Sequence, residues 1–580
     1  MKKLRRYLWP LAALPVAGLC FLGIEPAGVL QSVSGARVAA LDGWVSTGLR
    51  LAYGAPAAPQ PQARSLVRLS LGAPMRELEP RFLSVAIDTS LLLGGRWWSP
   101  TGRVEVGRGS EIVPPLDLSQ PELRELARAL APAYLRIGGT EADRVHYALG
   151  DAALEPPRGD DELTLDAARW DSLADFTQAT GLDLFFTINA GPGARGREGD
   201  WLTEPAERLL EHAAQRGDAV SVWELGNEVN AFWFQHGLHQ QPSGAQYAAD
   251  LHAFRALVKR YFPAARVAGP AVAYFPLLGD PLPERIGFLP DALQHAGSAL
   301  DILSWHFYPQ QSRRCPAATR RAQPGQLLGP AELDEMGRWS RELTELRERY
   351  TPDAQLWLGE TGSAQCGGEP GLSDRFASGL WWLDELGSAA QDGQAVVIRQ
   401  ALIGADYGLI DPLTLRPRPD YFNSLAWKRW MGPRVLDVAR SGDNPWLRLY
   451  AHCSAREAGV AVVLALNVDP LQPAAFQLVR GAAKVIGYEF SAAALDSKEL
   501  LVNGTPLALV RSGQIASKQA LPEQVVSWPE IEGRVFDSRE PIVLQPASYG
   551  FFELRGPEVG SCQSSEPAPS SSTSSGKAAG

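Results

Sequence analysis

Two stretches decide the fold: Val222-Trp223-Glu224-Leu225-Gly226-Asn227-Glu228 and Leu356-Trp357-Leu358-Gly359-Glu360, whose final glutamates stand 132 residues apart. Each is a short apolar run that ends in a glutamate. A parallel strand buried on both faces reads as such a run, and whatever follows its last apolar residue emerges at its C-terminal end. If both strands belong to one barrel, the two carboxyls meet at the mouth where barrel active sites sit. Six further runs share the texture, at residues 82–88, 134–138, 182–189, 266–270, 302–306 and 395–400. Helical spacing lies between them. Tyr247, Leu251, Phe254 and Val258 fall at i, i+4, i+7 and i+11, and Phe376, Leu380 and Leu383 repeat the pattern behind Ser373, an expected N-cap. Eight strand–helix units predict an α/β fold, a (β/α)8 TIM barrel over residues 76–432, ahead of a doubly wound sheet.

Beyond Pro433 the texture changes to short runs separated by Gly, Pro and Asn, at 446–451, 460–467, 507–510, 542–544 and 549–554. These predict a C-terminal β-sandwich over 433–562. Residues 65–75 read as a short strand of open partnership, and 563–580, rich in Ser, Pro, Ala and Gly, as a disordered tail. Asn503-Gly504-Thr505 fits a glycosylation sequon, but Asn-Gly is first a hairpin turn. At the other end, Lys2, Lys3, Arg5 and Arg6 precede an apolar stretch to Ile24, the pattern of a signal peptide or uncleaved membrane anchor over 1–30, with a linker at 31–64. Export is the expected location. Four cysteines then remain, Cys315, Cys366, Cys453 and Cys562, which permit two disulfides in three pairings.

Composition removes several classes. A net charge of −10 excludes a globally basic nucleic-acid binder. The cysteine spacing does not suit a zinc site, and no cofactor or metal is expected. Gly191-Pro192-Gly193-Ala194-Arg195-Gly196 matches GxGxxG, but Arg197-Glu198-Gly199-Asp200 continues as loop where a dinucleotide site needs a helix. His236 and His239 have ligand spacing without a third ligand, which favours a supporting role.

What remains is the paired carboxyls, and they point to glycosidic bond hydrolysis, with one acid protonated and one ionised. Glu228 lies among Trp223, Phe232, Trp233 and Phe234. An apolar wall raises a carboxyl pKa, as a general acid needs near neutral pH. Glu360 is followed by Thr361, Gly362 and Ser363, polar surroundings for an ionised nucleophile. Asn227 can bond a sugar hydroxyl, and His306, at the end of the sixth run, neighbours the nucleophile. The loop after it holds Arg313, Arg314, Arg320 and Arg321 and no acid between Ile302 and Ala331. That is an anion-binding cluster or a solvated loop in equal measure.

From about Ser65 to Cys562 the chain resembles glycoside hydrolase family 79, the family of heparanases and β-glucuronidases. The landmarks are residues 82–88 (FLSVAID), 134–140 (YLRIGGT), 223–230 (WELGNEVN), Trp305-His306, 357–361 (WLGET), Leu372-Ser373-Asp374 and Pro419-Asp420-Tyr421. The resemblance implies retaining cleavage of β-linked glucuronic acid, exo or endo, with Glu228 as acid/base, Glu360 as nucleophile and carboxyls roughly 5–5.5 Å apart. The alternatives are a barrel glycosidase on a neutral sugar, of arabinofuranosidase or xylanase type, and a non-catalytic glycan-binding homologue. The resemblance implies a site lined by Asp88, Asn227, His306, Tyr308 and Tyr407, with backbone N–H groups near Gly367 and Gly368 holding the uronate carboxylate. It also implies that the strand near Val67 joins the sandwich, that Cys453 pairs with Cys562, and that the partner is a uronic-acid glycan or glycosaminoglycan handled by a monomer. Two features depart from the pattern. Gln365-Cys366-Gly367-Gly368 replaces a Tyr and three glycines, so Cys366 is expected to pair with Cys315 across two loops. No long excisable segment separates Asp88 from Tyr134.

Overall fold

The computed structural model describes residues 66–98, 110–150, 163–274, 287–479 (apart from 317 and 319), 484–511, 526–556 and 562. The expected signal peptide or anchor, the linker and the tail lie outside the described residues. Among the described residues no helix is long and apolar enough to cross a membrane.

Eight parallel strands close into a barrel: Leu83–Asp88, Tyr134–Gly138, Asp183–Ile188, Val220–Leu225, Arg266–Tyr274, Ile302–Phe307, Gln355–Thr361 and Val396–Gln400. The last pairs with the first through Val397 and Leu83, so there is no open edge and the doubly wound alternative falls. The strands are buried on both faces because helices cover the outside and side chains fill the inside. Tyr134, Phe185 and Trp357 pack the inside as rings, with centroids 5.0 and 6.0 Å from Trp357. The helix Gly244–Tyr261 carries the anticipated apolar stripe, capped by Ser243, whose Oγ accepts from the Gln246 N–H at 3.1 Å. The second expected cap differs. The helix Phe376–Asp392 begins after Arg375, and the Ser373 Oγ instead accepts from the Glu369 N–H at 2.8 Å. Ser373 closes its own turn, so it is two residues too early to cap the helix.

Among the described residues, Val67–Glu77 and the strands after the barrel build one 11-stranded sheet, with Val510–Arg511 and Val526–Ser527 paired apart from it. Val67–Glu77 pairs antiparallel with Met431–Ser441 and parallel with Ala474–Leu478, which places an N-terminal segment at the heart of a C-terminal unit. Val460–Asn467 pairs with Ser548–Arg555, which also pairs with Lys484–Ser491. Along the sheet, Ala474–Leu478 and Ser548–Arg555 lie five strand spacings apart, about 24 Å if the sheet were flat. Yet the Phe476 and Phe552 rings are 5.4 Å apart. The sheet therefore folds over on itself and closes a core of its own, which is the sandwich arrangement reached with a single hydrogen-bonded sheet. The expected run at 507–510 is a correction: only Val510–Arg511 is strand there, while Leu507 is buried from a loop. Asn503 sits at φ 49° in the hairpin turn, its Oδ1 accepting from the Glu489 N–H and its Nδ2 donating to the Glu532 carbonyl.

Barrel and sheet share an interface. Asp384, on a barrel helix, accepts from Arg448 Nε at 2.8 Å and from the Tyr450 hydroxyl at 2.6 Å, and Trp430 stacks on Phe551 with centroids 5.0 Å apart. Both disulfides are formed, Cys315–Cys366 and Cys453–Cys562. The second closes a loop with a sequence separation of 109. Cys453→Ser is expected to cost about 2–5 kcal/mol, read as a lower melting temperature. An unchanged melt would mean that the bridge constrains the unfolded chain very little.

Candidate active site

Glu360 is the penultimate residue of its strand, and Glu228 stands just past the end of Val220–Leu225. One carboxylate oxygen of each, together with a ring nitrogen of His306, lie within 4.8 Å of one another. Glu228 has a left-handed backbone (φ 51°, ψ 46°), uncommon for a residue with a Cβ and a mark of functional sites. Its neighbours hold it there. Asp143 accepts from the Asn227 N–H at 2.8 Å with one oxygen and from the Ala190 N–H at 2.8 Å with the other.

Beneath the pair lies Arg136, fully buried in the middle of the second barrel strand. It donates to Glu360 Oε2 at 3.0 Å, to Asn227 Oδ1 at 2.8 Å, and twice to Glu224 Oε2 at 2.8 and 3.0 Å. Glu224 also accepts from Thr187 Oγ1 at 2.8 Å. The Tyr308 hydroxyl donates to Glu360 Oε1. Glu360 thus has one charged and one neutral donor, partners suited to a carboxylate. Room for this comes partly from Gly359: a Cβ there would stand 2.3 Å from Ser304 Oγ.

Glu228 is set differently. Burial, then the charge of Glu360, raises its carboxyl from the ordinary range to about 8. Gln235 Nε2 donates to its Oε2 at 2.8 Å, and His306 Nδ1 lies 3.3 Å from its Oε1. Burial and the nearby Arg136 charge hold His306 well below its usual value, so that contact is a hydrogen bond with a neutral imidazole and not an ion pair. Burial thus favours a protonated Glu228, the state a general acid needs. Glu228, His306 and Glu360 also form a ligand-like trio, but the Arg136 guanidinium already balances Glu360, which disfavours a cation there.

The remaining expected residues surround this pair. Asp88 ends the first strand, accepts from the Ser90 N–H at 2.9 Å as a helix N-cap, and meets Gln400 Nε2 at 3.3 Å. Burial, then the charge of Glu141, raises its carboxyl well above the ordinary range. Tyr407 lies parallel to Tyr308 with centroids 6.5 Å apart. Gly367 and Gly368 have φ of 81° and 84°, and a Cβ on Gly368 would stand 2.7 Å from the Tyr407 nitrogen. No acceptor for either N–H is found among the described residues. All nine expected residues therefore gather at the C-terminal end of one barrel.

Residues 95–387 match the glycosyl hydrolase family 79 N-terminal domain. Mouse heparanase is 30% identical over an alignment that covers 88% of this chain and 97% of that one. The chain belongs to glycoside hydrolase family 79. The human protein named "Inactive heparanase-2" is also similar, at 25% identity over 86% of this chain and 89% of its own. Among solved structures, the family 51 α-L-arabinofuranosidase of Thermotoga petrophila aligns with a TM-score of 0.58 over 84% of this chain and 100% of its own, at 14% identity. That likeness concerns the fold.

Within the family 79 frame, several features lie outside the sequence reading. Arg136, Glu224, Thr187, Asp143 and Gln235 fix the pair and were not anticipated as site residues. A charged residue inside an otherwise apolar strand (Tyr134-Leu135-Arg136-Ile137) is the signal that could have found the first. The arginine loop is engaged, not open: Arg313 pairs with Glu369, Arg314 with Asp406 and Arg320 with Glu335. This removes the reading of that loop as a bare anion patch. The GxGxxG stretch makes a single 3-10 turn, Pro192–Ala194, and no long helix starts from it. His236 packs edge-on against Phe232, with its pKa lowered to about 3 by burial.

Proposed function

We propose that the protein is a retaining glycoside hydrolase that cleaves β-linked glucuronic acid. The observation that carries this is the carboxyl pair: an oxygen of Glu228 and one of Glu360 lie within 4.8 Å of each other, which favours the short spacing of a retaining pair over the roughly 6.5–9.5 Å of an inverting one. In the first step the Glu360 carboxylate attacks the anomeric carbon. The glycosidic C–O bond breaks, and the Glu228 proton goes to the leaving oxygen. In the second step the Glu228 carboxylate takes a proton from water, whose oxygen attacks the same carbon and releases Glu360. The N–H groups of Gly367 and Gly368, which have no acceptor among the described residues and lie beside Tyr407, support a sugar carboxylate as the group recognised.

Membership of family 79 does not itself guarantee turnover, since a relative carries the name inactive. Both carboxyls are present here, which favours the catalytic reading over a glycan-binding one. The test is release of nitrophenol from nitrophenyl β-glucuronide against nitrophenyl β-glucoside. Preference for the glucuronide supports the reading; binding without hydrolysis would replace it by glycan capture. Two closed disulfides fit work in an oxidising, exported setting.

The pH profile follows from Glu228. The acid works protonated, and its carboxyl stands at about 8, so for an unactivated glucuronide, whose leaving oxygen needs a proton, kcat/KM should fall as pH rises through about 8. A profile flat to strongly alkaline pH would remove Glu228 from the acid role.

A further inference from the structure

The loop that carries Gly367 and Gly368 is held from outside by the loop after the sixth strand. Cys366, directly before the glycines, sits at φ 62° and is bridged to Cys315. Gln365 N–H donates to the Gln310 carbonyl at 2.9 Å, and Ser312 N–H donates back to the Gln365 carbonyl at 3.2 Å. Arg314, next to the bridging cysteine and with its side chain fully buried, donates to the Gly368 carbonyl at 2.6 Å and pairs with Asp406. Asp406 and Tyr407 in turn donate their N–H groups to the Gly367 carbonyl at 2.8 and 3.2 Å. A trans peptide points its N–H opposite to the preceding carbonyl. Pinning the Gly367 carbonyl on the Asp406–Tyr407 side therefore aims the Gly368 N–H away from it.

Glycines take positive φ freely, but Cys366, directly before them, is a side-chain-bearing residue in the left-handed region, where a free loop does not readily settle. Something must hold it, and the contacts just given are what does.

We propose that the Cys315–Cys366 bridge, acting with Arg314, is a positioning device that presets the Gly367 and Gly368 N–H groups for a substrate carboxylate. It acts on recognition of the acidic sugar and leaves the reacting carboxyls alone: Glu228 and Glu360 are held by Arg136, Tyr308, His306 and Gln235, none of which touches the bridge. The proposal rests on the uronate reading above. Opening the bridge lets Cys366 relax out of the left-handed region, and the glycine N–H groups that follow it lose their preset orientation before the carboxylate arrives.

The test uses Cys315→Ser, which opens the bridge and leaves the Cys366-Gly367-Gly368 sequence intact. KM for nitrophenyl β-glucuronide should rise by about tenfold or more, the weight of one charge-assisted hydrogen bond, with kcat little changed. An unchanged KM, or a loss confined to kcat, overturns the proposal. If the variant does not fold, reduction of the folded parent limited to Cys315–Cys366, with Cys453–Cys562 shown intact by mass mapping of the thiols, gives the same split. A binding measurement separates this proposal from the hydrolase reading. The dissociation constant of nitrophenyl β-glucuronide is taken with Glu360→Gln and with Glu360→Gln/Cys315→Ser. Weaker binding in the double variant upholds the positioning role even if the parent fails to hydrolyse. Equal binding, or none to either, removes it.

Discussion

Glu360→Gln should abolish turnover of nitrophenyl β-glucuronide while leaving a folded protein, and Glu228→Gln should fail in a different way. Glutamine keeps the shape of Glu360 and can still accept from Arg136 or Tyr308, but it cannot form the glycosyl ester. A fall of at least about 10³-fold is expected, because removing the nucleophile closes the covalent route altogether. Nitrophenolate leaves without much help from an acid, so Glu228→Gln should still complete the first step. It then lacks the base that activates water. The ester on Glu360 should accumulate, visible as a burst of nitrophenol and as a mass increase on the protein. Full steady-state activity in folded Glu360→Gln would sink the assignment of both residues.

Arg136→Met carries the largest expected effect on stability. The guanidinium is the counter-charge for Glu224 and Glu360 in a place closed to water. Removing one partner of a buried ionic network leaves uncompensated charge and costs about 3–5 kcal/mol. For a unit of this size that is a fall in melting temperature of about 5–15 °C. Arg136→Lys should recover only part of it, because an ammonium cannot serve Glu224, Asn227 and Glu360 at once in the fork geometry of an arginine. Arg136→Met/Glu224→Gln should melt above Arg136→Met alone, since the second change removes one of the stranded charges. A melt of Arg136→Met close to that of the parent would mean that the two glutamates find other means of neutralisation.

The barrel was legible because its strands are buried on both faces and each reads as a continuous apolar run between helical stripes. The same rule failed at 507–510, where an apolar run is buried from a loop, and it passed over Met431–Ser441, whose Gly432, Pro433 and charged residues hide a strand wrapped around the sheet. The carboxyl pair was legible because each glutamate closes an apolar run. Arg136 was not. Its partners Glu224 and Glu360 stand 88 and 224 residues away, a distance no local spacing rule reaches. Ser373 shows the limit of capping rules: a serine before an apolar stripe was read as an N-cap, and its hydroxyl was already committed to the turn behind it.

The clasp between Val67–Glu77 and Met431–Ser441 has a consequence for how the protein is made. The strand Val67–Glu77, the first among the described residues, meets its partner Met431–Ser441 only after the whole barrel has followed it. During that interval its backbone donors and acceptors are bare, the template on which stray chains pair. Closing so long a loop costs little extra at equilibrium, because the entropy grows only with the logarithm of length, but contacts this distant in sequence form slowly. A chain cut short at the end of the barrel would leave that strand orphaned for good. Such a fragment should aggregate through it, so the sheet is completed last and cannot be trimmed away to leave a working barrel.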